Sequence, residues 1–345
     1  MRNPFIAGSW VRGENFFGRA DILRDILEGE SDSIWVAGAR RLGKTSLLKQ
    51  LEYRVQQSAQ TPFVPLYWDL QGSADARGLA DGLLGSVEDS ESFRRATDID
   101  IEDLEGLAVA DMLTTLVRRT VRSGWRLLLL VDEAEEFLAV ARTDTVVLAR
   151  LRRIFQKGPD VRTVMTATKR LARIDEISDV DTSPFLQGFI PPVYLTPLAA
   201  DEARALLVRG QFTRDEVEMV LERTANHPFL VQLIASRLFE SRDLGATLDQ
   251  VAADEMVSNF FSVDFQALDG DERALLEQMA RDGARSRKEL AQAIRRTEET
   301  VEPLLYGLRM MGYLTTAENG SYRIGNWFFE RWLRRVTTSA GVRPA

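Results

Sequence analysis

The stretch Ile34-Trp35-Val36-Ala37-Gly38-Ala39-Arg40-Arg41-Leu42-Gly43-Lys44-Thr45-Ser46-Leu47-Leu48 decides how the rest of the chain is read. Its first four residues are apolar, with β-branched and aromatic members, and predict a short strand. After the loop, Leu47, Leu48 and Leu51 recur at helical spacing from Lys44 to Tyr53. Gly38 to Thr45 matches G-x-x-x-x-G-K-[ST] in full. Gly38 and Gly43 allow backbone N–H groups to curl around phosphate oxygens, and Arg41 and Ser46 join them as candidate cofactor contacts. Lys44 is placed to reach the β- and γ-phosphates, and the Thr45 hydroxyl to ligate Mg²⁺. The helix that starts there points its positive end at the phosphates.

Such a loop needs a second acidic element to hold the metal. Leu127-Leu128-Leu129-Leu130-Val131-Asp132-Glu133 supplies one. Asp132 ends a continuous apolar run, and Glu133 follows where it can polarise an attacking water. Glu135 and Glu136 read as a solvated helix start. At the end of the next expected strand, Thr168 or Thr166 could sense a γ-phosphate, with Lys169 and Arg170 behind them. Arg150, Arg152 and Arg153 read as surface charge before they read as an arginine finger for a neighbouring subunit. His227-Pro228 opens an apolar helix, where proline is natural at the first turn and histidine reads as a packing or capping residue.

Composition narrows the remaining chemistry. The 345 residues include no cysteine and one histidine, so thiol catalysis, disulfides, zinc ribbons and multi-histidine metal centres are excluded. Five lysines stand against 39 arginines. The net charge of -8 argues against a chain that coats nucleic acid without specificity. Nine acids and two arginines lie between Glu88 and Asp111, which reads as a solvated acidic insertion. The longest strongly apolar run, Leu127 to Val131, is far short of the ~20 residues of a membrane-spanning helix. With no apolar signal core near Met1 and no cysteine, the expectation is a cytoplasmic protein without a membrane partner.

Strands are expected at Phe63 to Leu70, Arg126 to Val131, Thr163 to Ala167 and Val193 to Leu195, with helices at Ala108 to Val121 and Val146 to Phe155. Unbroken apolar runs suit strands buried on both faces of a parallel sheet. The fold class predicted is therefore α/β, a P-loop NTPase parallel-sheet core. After Pro197 the pattern turns helical, at Asp201 to Val208, Asp215 to Thr224, Phe229 to Phe239 and Leu248 to Phe260. From Phe265 onward three helices are expected, the second capped by Ser286 with Glu289 and the third by Thr297. A hairpin follows, with Asn319-Gly320 at its turn. The expected domains are an N-terminal arm at residues 1–30, the ATPase core at 31–199, a helical lid at 200–262 and a winged helix at 263–338.

With these residues in place, the chain resembles the STAND-type ATPases, the signal-transduction branch of the AAA+-related P-loop proteins. Asn3-Pro4-Phe5 and Phe16-Phe17-Gly18-Arg19 resemble the arm that family sets beside the adenine, which makes Phe17, Gly18 and Arg19 candidate nucleotide contacts. Thr224 to Leu230 resembles the family's Gly-x-Pro lid motif, with Pro228 near the base. Ala225-Asn226 departs from it where glycine is common. Tyr322 to Leu333 is similar to the last strand and helix of the family's winged helix. The resemblance implies a slow, Mg²⁺-dependent ATPase that binds ATP and ADP and switches state in signalling, in bacterial defence or a stress response. Protein partners would supply sensor or effector, and the chain could form nucleotide-dependent homo-oligomers. The alternative is a DNA-binding initiator or loader like the archaeal origin-recognition ATPases. Nucleic acid ranks below protein here, because the expected recognition helix opens acidically at Glu298, Glu299 and Glu302. From Asp264 onward, 13 basic and 12 acidic residues leave a net of only +1.

Overall fold

The computed structural model describes residues 2–177, 184–317 and 319–340. Among them two compact units are distinguished, residues 10–38 with 43–194 and residues 2–9 with 39–42 and 195–340.

The first of these units is a parallel sheet between helices. Its strands are β1 (Ser33–Ala37), β2 (Phe63–Asp69), β3 (Arg126–Asp132), β4 (Val161–Ala167) and β5 (Val193–Tyr194), in the order β2-β3-β4-β1-β5. All ladders are parallel, pairing Ala37 with Ala167 and Val131 with Met165. Every residue of β4 is buried, as a central strand covered on both faces requires. The intervening helices are α1 (Ala20–Glu28), α2 (Lys44–Gln57), α3 (Ala76–Asp89), α4 (Glu91–Thr97), α5 (Val109–Arg122), α6 (Phe137–Thr143), α7 (Thr145–Phe155) and α8 (Ile174–Ile177). Trp68, Phe137, Phe155 and Phe185 form an aromatic group in the core, with successive ring centroids 5.5–6.4 Å apart.

One local feature corrects the sequence reading and a second adds to it. The segment from Glu88 to Asp111 is not wholly a solvated insertion: Phe93, Ile99 and Leu104 are buried in the core. Its acids are partly neutralised by Arg95–Glu91, Arg119–Asp103 and Arg150–Asp111. The second feature is α1, which carries no capping side chain at its start, where Arg19 takes a left-handed φ of 64°. Its far end is held by Arg162 of β4, whose guanidinium donates to the carbonyls of Ile26 (2.7 Å), Leu27 (3.0 Å) and Gly29 (2.7 Å). A cation on these carbonyls complements the negative end of the helix. Asp32 adds an ion pair at 3.1 Å.

The other unit is helical. It holds α9 (Ala200–Leu207), α10 (Arg214–Thr224), α11 (Pro228–Ser241), α12 (Leu244–Ala253), α13 (Glu255–Gln266), α14 (Gly270–Asp282), α15 (Arg287–Ala293) and α16 (Glu298–Met310). A two-stranded antiparallel hairpin, β6 (Leu314–Thr316) and β7 (Tyr322–Ile324), precedes α17 (Trp327–Ala340). Ser286 caps α15 in a reciprocal box with Glu289, and Thr297 caps α16, as their spacing predicts. The single helix expected from Leu248 to Phe260 is two helices, because Asp254 closes α12 and caps α13 through the Met256 N–H at 2.8 Å. Ala225 and Asn226, which replace the expected glycine, both adopt it in geometry, with φ of 47° and 58°. Phe261, Phe329 and Trp332 pack together, with ring centroids 5.4–6.0 Å apart. No helix among the described residues is long and apolar enough to cross a membrane.

Candidate active site

Parallel order places chemistry at one edge of the sheet. Strand β4 lies between β1 and β3, so the loop after Ala37, the acids after Val131 and the threonines after Met165 emerge side by side at the strands' C-terminal ends. Ligand crevices in such sheets form at that edge.

Gly38 hands β1 to the glycine loop while its N–H donates to the Ala167 carbonyl at 3.2 Å. Gly43 sits at φ 97° with open space where a Cβ would stand, a conformation suited to glycine. It precedes Lys44 at the first turn of α2. The Lys44 ammonium is buried and donates to the Gly38 carbonyl at 3.2 Å, closing the loop upon itself. Thr45 is half-buried beside it. Ser46 has a different contact: its hydroxyl accepts the Val11 N–H at 3.1 Å. Gln50, one turn along α2, accepts the Gly13 N–H at 2.7 Å. The P-loop helix thereby anchors the N-terminal arm through side chains the motif does not specify. On that arm Phe17 and Gly18 are half-buried and Arg19 is buried, at the entry to α1.

Asp132 is buried at the end of β3, and three donors fix its carboxylate. The Thr166 hydroxyl and the Glu133 N–H (3.0 Å) donate to Oδ1, and the Tyr67 hydroxyl donates to Oδ2 at 3.0 Å. Burial, reinforced by Asp132, pushes the Tyr67 phenol far above its ordinary range, so it stays a donor. Glu133 has a left-handed φ of 53°, uncommon for a non-glycine residue and of the kind that clusters at functional sites. Thr168 is buried with no hydrogen-bond partner for its hydroxyl, and its N–H donates to Glu135 at 3.2 Å. Glu135 does stand in the helical turn that leads into α6, but it is half-buried and engaged by Thr168 instead of simply solvated. The orphaned Thr168 hydroxyl and the open Gly43 cradle fit a nucleotide phosphate. One carboxylate and one hydroxyl suit Mg²⁺, which takes few protein ligands and completes its shell with phosphate and water. No cluster of three or more metal-ligating acids or histidines exists among the described residues.

Within the helical unit, Arg41 lies over the rings of Phe229 and Phe260, at 4.2 and 5.5 Å from their centroids. Its side chain therefore serves a cation–π contact here, and burial lowers its pKa from the usual guanidinium value. Pro228 takes the first position of α11, and His227 packs edge-on against Phe260 at 5.7 Å. Packing is one of the two roles, packing or capping, that the sequence offered for His227, and its side chain makes no cap hydrogen bond at α11.

The family model described as an AAA domain matches residues 27–174. No curated protein is detectably similar in sequence. The Walker-type ATPase paby2304 of Pyrococcus abyssi is similar in structure, with a TM-score of 0.71 and 18% identity over 96% of this chain and 99% of that one. The ORC2 protein of Aeropyrum pernix, solved with ADPNP and ADP, is similar with a TM-score of 0.55 and 14% identity, over 95% and 96% of the two chains. At these identities the likeness is one of fold. Residues 27–174 thus match an AAA domain on a P-loop, parallel-sheet core, in a chain whose fold is shared along its length with those two proteins.

Proposed function

We propose that this chain binds ATP and hydrolyses it slowly with Mg²⁺ at the C-terminal edge of β1, β3 and β4. One observation carries the reading: a complete G-x-x-x-x-G-K-T loop, an Asp-Glu strand end and an orphaned hydroxyl, that of Thr168, converge there. Lys44 and the loop N–H groups would hold the phosphates, and Thr45 and Asp132 the metal. Mg²⁺ bound there would supply neutralisation of phosphate charge. Glu133 would orient and polarise the attacking water, and Thr168 would contact the γ-phosphate. The ADPNP and ADP held by the ORC2 protein support nucleotide as the ligand class.

The expected test is a pair of substitutions. Lys44→Ala should raise the Kd for ATP roughly a hundredfold, about 2.7 kcal/mol, the scale of one or two charge-assisted hydrogen bonds. Glu133→Gln should keep wild-type ATP affinity by calorimetry and stop turnover in a phosphate-release assay. Normal hydrolysis by Glu133→Gln would remove the catalytic role from Glu133.

For what the ATPase acts on, we infer an initiator- or loader-type role ahead of a signalling switch, the reverse of the order expected from sequence. The support is the likeness to a Walker-type ATPase and an ORC2 protein, which runs through the C-terminal unit as well as the core. The signalling reading rests on scattered motifs and gains nothing from those likenesses. The helices α14 to α16 with the β6–β7 hairpin and α17 follow the order of a winged helix, the element through which DNA contact is proposed.

A further inference from the structure

Tyr67 belongs to no motif, yet its hydroxyl meets the carboxylate assigned to the metal. It lies on β2, which two strands, β3 and β4, separate from the glycine loop's own strand β1. A carboxylate offers about four acceptor positions. In Asp132, Oδ1 takes two donors, from Thr166 and the Glu133 N–H, and Oδ2 takes one, from Tyr67. Oδ2 is therefore the oxygen with acceptor capacity left, and Tyr67 is the side chain that fixes its direction. The ring of Tyr67 is itself held. The Lys49 ammonium lies 3.3 Å from its centroid and pairs with Glu52 at 3.2 Å. Lys49 stands on α2, the helix that begins with Lys44 and Thr45. The chain of contacts Lys49–Tyr67–Asp132 thus ties the phosphate-binding helix to the metal-side carboxylate. A phenol and an ammonium would be a costly way to fill space between a helix and a strand, since both are polar and half-buried.

We infer that Tyr67 is a positioning residue for the metal, orienting Asp132 Oδ2 toward Mg²⁺ and keeping it in register with Thr45 through Lys49. The inference rests on the proposed ATPase reading and concerns only how the metal is held. Tyr67 stands on β2, outside the glycine loop, so its loss should leave metal-free nucleotide binding alone.

Tyr67→Phe keeps the ring under Lys49 and removes only the hydroxyl. ATP affinity would be measured by calorimetry in EDTA and across a Mg²⁺ titration, with the fold checked by circular dichroism. The expected result is an unchanged Kd in EDTA and a Mg²⁺ half-saturation raised about tenfold, the scale of one charge-assisted hydrogen bond. Lys49→Gln, which keeps the hydroxyl and frees the ring, should shift the same half-saturation in the same direction by about threefold. If the wild-type protein binds ATP with Mg²⁺ dependence and both variants match it, the role of Tyr67 is overturned and the ATPase reading survives. If the wild-type affinity for ATP ignores Mg²⁺, both fall. A Tyr67→Phe protein that loses affinity equally with and without Mg²⁺ would make the hydroxyl a structural bond and also overturn the inference.

Discussion

Thr166 and Thr168 stand two positions apart on and just beyond β4, so their side chains leave the same face of the sheet. Alternation alone cannot choose between them, which is why the sequence left both as γ-phosphate sensors. Their surroundings separate them. Thr166 already donates to Asp132, whereas the Thr168 hydroxyl is buried and orphaned. An unsatisfied buried hydroxyl costs about 1–3 kcal/mol, a cost that a phosphate oxygen would remove. Thr168→Val should therefore leave the urea midpoint of the ligand-free protein unchanged or higher, while ATP turnover falls about a hundredfold, as for loss of one transition-state donor. Thr166→Val should lower stability by about 1–2 kcal/mol, because it leaves Asp132 short of a donor. A destabilised Thr168→Val protein with normal turnover would pass the sensing role to Thr166. The candidate residues named in advance were those for which a motif calls for one residue type at one spacing: Gly38, Gly43, Lys44, Thr45, Asp132 and Glu133. Tyr67, Gln50 and Glu135 were not legible, because their contacts arise when separate strands and helices meet, and no local pattern announces that meeting.

The same division holds for whole elements. Strand β3 was legible as an apolar run, since burial on both faces leaves little room for polar residues. Helix α1 was not, because its stabilising cap is Arg162, far away in sequence and reached only through the fold. Asp254 illustrates a third case. Apolar spacing runs through it, so Leu248 to Phe260 reads as one helix, yet its carboxylate caps α13 and pairs with Arg237. The hydrogen bond from Arg237 is the main cause that holds the Asp254 pKa below the usual carboxylate value, with the Met256 N–H adding to it against burial. A depressed folded-state pKa means that the contribution is fully present above the unfolded value, about pH 4, and is lost as pH falls through the lower folded value. Asp254→Ala should therefore cost about 1–2 kcal/mol at pH 7, the worth of an N-cap with a partly exposed ion pair. Urea titrations at pH 7 and pH 3 would check it, with the gap to wild type narrowing at the lower pH. A gap that widened on acidification would reverse the sign and exclude the carboxylate as its source.

At the scale of the molecule, the issue is what the ATPase core drives, and charge placement shapes the answer. The whole chain carries -8, yet from Asp264 onward the balance is +1. A helix that reads bases presents side chains to the major groove. The candidate, α16, instead opens with Glu298, Glu299 and Glu302, and Arg287 is ion-paired to Glu298 at 2.9 Å and to Glu302 at 3.0 Å. Arg296 is likewise engaged, by Asp271 at 2.8 Å. Lys288 and Arg295 are exposed and form no ion pair among the described residues, and Arg323 is exposed on β7. Cations free on the rim with acids on the helix favour phosphate contacts over base reading. The initiator-type reading then predicts weak, sequence-tolerant DNA binding that salt suppresses. In anisotropy titrations with a duplex, the slope of log K against log salt should be about -2 to -3, the slope for two or three phosphates. Lys288→Ala and Arg295→Ala should each reduce the slope by about one and weaken all sequences alike. Binding should also differ between ATP and ADP if the core drives it. A protein that ignores duplex DNA at 50 mM salt in both nucleotide states would return the signalling-switch reading to first place, with a protein partner as the object of the ATPase.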